Sequence, residues 1–384
     1  MSHKNTKEVD LRFSKLAIAV GYRTIGQTWP NPAVGCVLVK DGTIVGTGHT
    51  EVGGRPHAEF NAIKEAGKLS NGATAYITLE PCSHFGKTPP CAMELIKANI
   101  KRVVCPLEDP NPKVSGNGFR LLEENGIQVD RVTCLTKEAK QLAEGFLTVI
   151  EKKRPFIALK LALSLNGKIA TRKNESNWIS GKNSRTLVHF LRSRYDAVMV
   201  GKNTALVDNP NLNLRGQFSL LPSPKKIILD SELSLPKTSN FAKSGAKKNL
   251  IIVHNRKYNS KAIKKWNENC VSTLGVKANK TNGIDLPDLT EKLANIGLTR
   301  ILVEGGGHLA TSLLNQDLVD LLILFTAGIL IEKDGLNGLN PTIQSHGTLS
   351  ESPKFSLERT FRIGNDVAHL WRPLDRKEFD SKID

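Results

Sequence analysis

A chain of 384 residues, 39% of them hydrophobic, has apolar material for two ordinary domains. Its 5% aromatic content and 31 glycines favour an α/β organisation over an all-β one. The formal charge of +17 raises nucleic acid as a partner, but much of it is local: Lys237 to Asn282 carries eleven basic residues against one acid, Glu268. That stretch is rich in Asn and Ser and nearly free of aromatics, so it reads as a solvated face.

In chain order, Met1 to Asp10 is polar and lacks the apolar core of a signal peptide. Leu11 to Gly26 is predicted helical, with Leu11, Phe13, Leu16, Ala17 and Val20 near a 3.6 period. Val34 to Gly48 is a predicted hairpin turning at Asp41-Gly42. There follow helix His57 to Gly67, strand Thr74 to Leu79, helix Cys91 to Ala98, strand Arg102 to Pro106, helix Gly118 to Asn125 and strand Gln128 to Val132. Strands alternating with short helices specify an α/β layer fold. The charged helix Thr136 to Arg154 bridges to a second domain, so the expected division is 1–150 and 151–384. Beyond Pro155 the pattern gives strand Phe156 to Leu163, helix Asn183 to Arg194, and strands Asp196 to Val200, Lys226 to Leu229 and Asn249 to Val253. Helix Leu286 to Ile296, strand Arg300 to Val303, helix His308 to Leu314 and strand Leu321 to Leu324 complete it; the last thirty residues give no clear element. The longest apolar run, Leu321 to Ile331, is too short to span a bilayer, so a cytoplasmic protein without membrane contact is expected.

The sharpest chemical signal is Pro56-His57-Ala58-Glu59, then Glu80-Pro81-Cys82, then Pro89-Pro90-Cys91. His57, Cys82 and Cys91 offer one imidazole and two thiolates, a three-ligand zinc set with a position left open, as in catalytic sites. Zinc lowers the pKa of a bound water to about 7. Glu59 is the natural proton carrier between that water, a ring nitrogen and a leaving amine. Pro56 and Pro90 precede predicted helices, as suits first-turn proline, and both helix N-termini would aim at the metal and favour thiolate at Cys91. Two other readings stay open: a closed site with His84 or His49 as fourth ligand, and a helix histidine near two buried cysteines. Cys36, Cys105 and Cys134 lie in apolar strand patterns and read as core thiols.

The order His-x-Glu, Pro-Cys, Cys resembles the cytidine deaminase superfamily, although eight residues, Ser83 to Pro90, separate the cysteines here where nucleic-acid deaminases have two. The longer stretch Leu79 to Cys91 resembles the bifunctional deaminase/reductase family of riboflavin biosynthesis. So do Pro30-Asn31-Pro32-Ala33-Val34-Gly35 and Asp109-Pro110-Asn111-Pro112-Lys113-Val114-Ser115-Gly116. In the second half Lys160-Leu161-Ala162-Leu163-Ser164-Leu165-Asn166-Gly167 is similar to a family motif that usually has Asp at the place of Asn166. Trp178-Ile179-Ser180, Val200-Gly201-Lys202-Asn203-Thr204, Asp208-Asn209-Pro210-Asn211-Leu212 and Glu304-Gly305-Gly306-Gly307 fit as well. The resemblance implies a cytidine-deaminase-like three-layer α/β domain followed by a dihydrofolate-reductase-like domain that uses NADPH. Three glycines opening a helix let backbone amides approach a phosphate, but they do not form the dinucleotide fingerprint, so NADPH rests on the resemblance.

Carried over by position, Ala162, Trp178, Thr204, Asp208, Ser231 and the stretch Gly306, Gly307, His308, Leu309, Ala310, Thr311 and Ser312 would meet the cofactor. Ser176, Arg192, Leu212, Arg215 and Glu304 would meet the substrate, with Arg192 and Arg215 suited to its phosphate. The implied activity is hydrolytic deamination of a diaminopyrimidinone bearing a phosphoribosylamino chain, then NADPH-dependent reduction of ribosyl to ribityl. The expected partners are that phosphorylated pyrimidine and further copies of this chain in a homo-oligomer, without nucleic acid. Residue spacing alone gives an amino-heterocycle deaminase, and leaves open a nucleic-acid deaminase with a basic binding module or a non-catalytic zinc protein.

Overall fold

The computed structural model describes residues 3–86, 88–111, 114–176, 179–243, 249–257, 260–268, 271–339 and 352–374. The chain divides into two compact units, Met1–Arg154 and Pro155–Asp384.

The first unit runs α1 (His3–Gly21), β1 (Gly35–Lys40), β2 (Thr43–His49), α2 (Ala58–Ala66), β3 (Thr74–Ile77), α3 (Cys91–Lys97), β4 (Arg102–Cys105), α4 (Asn117–Glu124), β5 (Gln128–Arg131) and α5 (Thr136–Lys152). Its sheet has the order β2-β1-β3-β4-β5, antiparallel from β2 to β3 and parallel from β3 to β5. Side chains alternate across a strand, so Val37 and Val39 pack with Phe13, Ala17 and Val20 of α1 on one face. Cys36, Leu38, Ala75 and Ile77 face the other way, with Ala58 and Ala62 of α2, Leu95 of α3 and Phe119 and Leu122 of α4. Gly46 and Gly48 of β2 admit α2: a Cβ at Gly48 would stand 2.0 Å from the Ala58 carbonyl oxygen. The helix expected from Leu11 begins at His3, and its end at Gly21 is followed by a 3-10 turn over Tyr22–Thr24. Cys134 is exposed, which corrects its reading as a core thiol: β5 ends at Arg131, and in the 3-10 turn Thr133–Leu135 it is Leu135 that is buried. Cys36 and Cys105 are buried, while Cys270 lies outside the described residues.

The second unit continues with β6 (Phe156–Ser164), β7 (Lys168–Ala170), α6 (Lys182–Arg192), β8 (Ala197–Gly201), α7 (Lys202–Val207), β9 (Lys225–Leu229), α8 (Asn240–Lys243), β10 (Leu250–Asn255), α9 (Ser260–Asn267) and β11 (Ser272–Val276). Then come α10 (Leu286–Asn295), β12 (Arg300–Val303), α11 (Gly307–Leu314), β13 (Leu321–Ala327), β14 (Leu336–Asn337), β15 (Phe355–Ile363) and β16 (Asp366–Pro373). Nine strands form one sheet in the order β11-β10-β9-β8-β12-β6-β13-β16-β15. All neighbours from β11 to β13 are parallel; β16 and β15 join antiparallel. The C-terminal region without a clear sequence signal is thus a hairpin, and its Asp366 accepts hydrogen bonds from Gly181 N (2.7 Å) and Ser184 Oγ (2.5 Å) at the start of α6. The Lys-rich stretch contains α8, β10, α9 and β11, and buries Phe241, Leu250, Ile252, Trp266 and Val271 with Ile228 of β9. No helix among the described residues is long and apolar enough to cross a membrane.

Candidate metal centre and reductase site

His57 is the N-cap of α2, Glu59 lies in that helix's first turn, and Cys91 is the first residue of α3 after the N-cap Pro90. Neither proline is itself a first-turn residue: Pro56 precedes the cap and Pro90 is the cap. Two helix N-termini still converge on the loop that carries Cys82. His57 Nδ1 lies 3.2 Å from Cys91 Sγ and 3.8 Å from Cys82 Sγ, and Cys91 N donates to Cys82 Sγ at 3.3 Å. The three ligand atoms all fall within 4.8 Å of one another, and no fourth His, Cys, Asp or Glu joins the group among the described residues.

The electrostatics suit a metal. The Cys91 thiol donates to Cys82, which drives the Cys82 pKa down to about 4 and the Cys91 pKa up. Between them the sulfurs hold one proton that a cation would displace. One imidazole nitrogen with two cysteine sulfurs fits zinc. Glu59 is 4% exposed, and burial raises its pKa despite the opposing influence of His57.

The loop beside this centre is held by a residue to which the sequence reading gave no role. Glu80, 3% exposed and two residues before Cys82, accepts from Asp109 N (3.1 Å), Gly116 N (3.0 Å) and Gly118 N (2.8 Å). The carboxylate thus serves α4, whose glycine N-cap has no side chain to offer. A Cβ at Gly118 would stand 2.0 Å from the Pro81 carbonyl oxygen, so this approach needs glycine.

In the second unit, strand alternation sets the polar site. Phe156 and Ala158 of β6 and Leu302 of β12 pack on the α6 face with Val188. The same period carries Lys160 and Glu304 to that face. Arg192, at the end of α6, donates from Nε to Glu304 Oε1 (2.6 Å), from Nη2 to Oε2 (2.9 Å) and from Nη1 to Asn213 O (3.2 Å). Burial opposes both charges, but each outweighs it in the other: Arg192 is raised and Glu304 lowered, so both stay ionised. The bidentate fork assigned to a phosphate is therefore occupied by Glu304. Arg215, exposed at the N-cap of a 3-10 turn, has no carboxylate partner among the described residues. Burial pushes the Lys160 pKa down, against the charge of Glu304.

The residues carried over to a cofactor gather at the carboxyl ends of the parallel strands, where open α/β sheets bind ligands. Ala162 is on β6, Thr204 in α7 after β8, Ser231 directly after β9, and Gly306 is the N-cap of α11 after β12. Asp208 follows α7 and accepts from Ser176 Oγ at 2.9 Å, which joins a cofactor candidate to a substrate candidate. Within the 306–312 stretch His308 and Ser312 are exposed, Leu309 is half-buried, and Gly307, Ala310 and Thr311 are buried. Leu212 is buried with a left-handed φ of 52°. Trp178 lies outside the described residues. The N-terminus of α11, whose cap Gly306 makes no side-chain capping bond, lies among these strand ends and suits a dinucleotide phosphate.

Geometry and topology together define a zinc-deaminase unit joined to an α/β reductase unit. Residues 7–107 match the cytidine and deoxycytidylate deaminase zinc-binding region, and residues 155–369 match the RibD C-terminal domain. The riboflavin biosynthesis protein RibD of Aquifex aeolicus is 39% identical over 369 residues, covering 95% of this chain and 99% of that protein. A solved structure of Acinetobacter baumannii RibD is 32% identical with a TM-score of 0.85, covering 96% of this chain and 100% of that one. The solved diaminohydroxyphosphoribosylaminopyrimidine deaminase/5-amino-6-(5-phosphoribosylamino)uracil reductase of Thermotoga maritima is 34% identical, with a TM-score of 0.83 over 96% of this chain and 100% of that one. The chain belongs to the RibD family of riboflavin biosynthesis. It is a bifunctional enzyme with a zinc-binding deaminase domain and an NADPH-using reductase domain.

Proposed function

We propose that this chain removes the exocyclic amine of 2,5-diamino-6-(5-phosphoribosylamino)pyrimidin-4-one by hydrolysis and then reduces the ribosyl group of the product to ribityl. The observation that carries the first step is the buried Glu59 in the first turn of the helix that His57 caps, beside Cys82 and Cys91. Zinc, when bound to His57, Cys82 and Cys91, supplies a water acidic enough to deprotonate near neutral pH. Glu59 accepts one proton of the attacking water at its carboxylate and gives it to the pyrimidine ring nitrogen; it then accepts the second proton, from the hydroxyl added to the ring carbon, and gives it to the amine, which departs as ammonia. Its raised pKa suits both halves of that transfer.

In the second unit NADPH supplies the hydride. Ala162, Thr204, Asp208, Ser231 and the amides at the start of α11 orient it, and Trp178 belongs to the same set. Glu304, kept ionised by Arg192, Ser176 and Leu212 position the ribosyl group, and Arg215 meets the phosphate. A homo-oligomer working in the cytoplasm belongs to the same proposal, and light scattering of the purified chain tests the assembly.

The decisive experiment is metal analysis coupled to ammonia release, repeated with NADPH oxidation on the deaminated product. Chelation that stops ammonia release and spares NADPH oxidation is the expected result. Ammonia release that persists without metal refutes the first assignment. Absence of NADPH oxidation refutes the second.

A further inference from the structure

Among the described residues, four buried side-chain nitrogen or oxygen atoms lack a hydrogen-bond partner: Ser14 Oγ, His57 Nε2, His189 Nδ1 and Asn213 Oδ1. His57 belongs to the metal centre. Two of the remaining three, His189 and Asn213, stand at one place in the reductase unit. His189 is one helical turn before Arg192 on α6, so the two side chains share a face. Asn213 gives its backbone carbonyl to Arg192 Nη1 at 3.2 Å, and the His189 ring hydrogen-bonds to that same backbone. A buried polar atom without a partner is costly, and such atoms are rare away from places where something binds.

Their chemistry says what is missing. Asn213 Oδ1 can only accept. Burial, then the charge of Arg192, holds the His189 pKa down, so the ring is neutral. In the tautomer that carries its proton on Nε2, the unpartnered Nδ1 is an acceptor. Two acceptors without donors, on residues that both flank Arg192, complement a ligand that presents O–H or N–H groups to each. The Arg215 charge also acts on His189, which sets the pair at the phosphate-facing end of the site. There the donors of a phosphoribosyl chain are its vicinal hydroxyls.

We propose that His189 and Asn213 bind the sugar hydroxyls of the reductase substrate and thereby set its specificity for a polyhydroxylated chain. This rests on the reductase reading above. It adds two binding residues that neither the sequence motifs nor that reading supplied.

The test uses the full-length enzyme with 5-amino-6-(5-phosphoribosylamino)uracil. Wild-type reduction of this substrate is measured first; its absence refutes the reductase reading and this proposal with it, whereas the variants alone decide the proposal once reduction is seen. With it established, His189→Ala and Asn213→Ala should each raise the substrate KM on the order of tenfold, the worth of one hydrogen bond. NADPH affinity, followed by nucleotide fluorescence, and ammonia release by the first unit should stay within about twofold. His189→Asn and Asn213→Asp, which keep an acceptor at each place, should restore most of the lost affinity. The probe 5,6-diaminouracil, which has the ring and lacks the sugar, should bind all variants equally. An unchanged KM in both alanine variants overturns the proposal. So does a weakened 5,6-diaminouracil, which would assign the pair to the ring, or a KM effect that the acceptor-keeping variants fail to relieve.

Discussion

Glu80→Gln isolates how the deaminase loop is held. The two carboxylate oxygens divide the work: Oε2 accepts from Asp109 N and Gly116 N, and Oε1 accepts from Gly118 N at 2.8 Å and more weakly from Phe119 N at 3.4 Å. A glutamine keeps one oxygen and turns an NH2 group toward two backbone N–H groups that it cannot accept from. Hydrogen bonds to a charged group are worth about 1.5–3 kcal/mol each, and neighbouring losses are not additive, so about 3 kcal/mol is expected. Because the loss is local to 109–119, it should appear as local opening, on the order of a hundredfold faster amide exchange. Hydrogen exchange read by mass spectrometry over peptides spanning Asp109 to Phe119 measures it, with the β6–β12–β13 peptides of the second unit as internal control. Exchange across 109–119 that stays within threefold of wild type would show that the carboxylate is not what holds this loop.

Glu59→Gln should cut ammonia release by about 10²–10⁴-fold with the metal content unchanged and the reductase step on deaminated product intact; an active variant with full metal removes Glu59 from the proton path. Arg192→Met leaves the Glu304 carboxylate, 12% exposed, without its guanidinium, and should cost the second unit about 3–5 kcal/mol. Protease resistance of that unit reads the loss, and unaltered resistance refutes it. Asp109 gives a pH signature: burial raises its pKa from an ordinary 3.8 to about 6. Its contribution to stability is therefore fully present below about 3.8 and lost as pH rises through 6. Asp109→Asn should thus gain on wild type in denaturant midpoint at pH 7.5 and match it near pH 4; a gap independent of pH would show that Asp109 is not held up by burial.

The zinc donors were legible because each sits in a local signal. His57 and Cys91 mark helix starts, and Cys82 follows a strand, so backbone propensity alone brings them close. The hairpin at Asp41-Gly42 and the strand Arg300–Val303 were equally local. Glu80 was not, because its role exists only once the loop at 109–118 folds back over it. Lys160 and His189 stayed hidden for the same reason: the Glu304 charge that acts on both is remote in sequence, and a lysine in a strand announces nothing until its face is known, while Asn213 meets Arg192 only through its backbone carbonyl. The hairpin Phe355–Pro373 escaped because its register shifts between Leu357 and Arg359 and most of its outer strand is exposed, which erases the alternation that marks a strand.

Asn166 shows how a departure from a family pattern can be absorbed by local structure. Its Oδ1 accepts from Ser164 Oγ at 2.7 Å and from Ile331 N at 3.2 Å, while Nδ2 donates to Ile331 O at 2.6 Å. The amide therefore ties the end of β6 to the segment after β13 through both its faces. An aspartate could fill the acceptor role but not the donor role, and would set its charge against the Ile331 carbonyl. Ser164 in turn accepts from Lys168 N at 2.9 Å, so this side chain joins the backbone bond from Gly167 N to Ser164 O in holding the turn into β7. In this chain position 166 is explained by turn geometry, and the polar residues Lys160, Arg192 and Glu304 lie apart from it on the adjoining strands and helix.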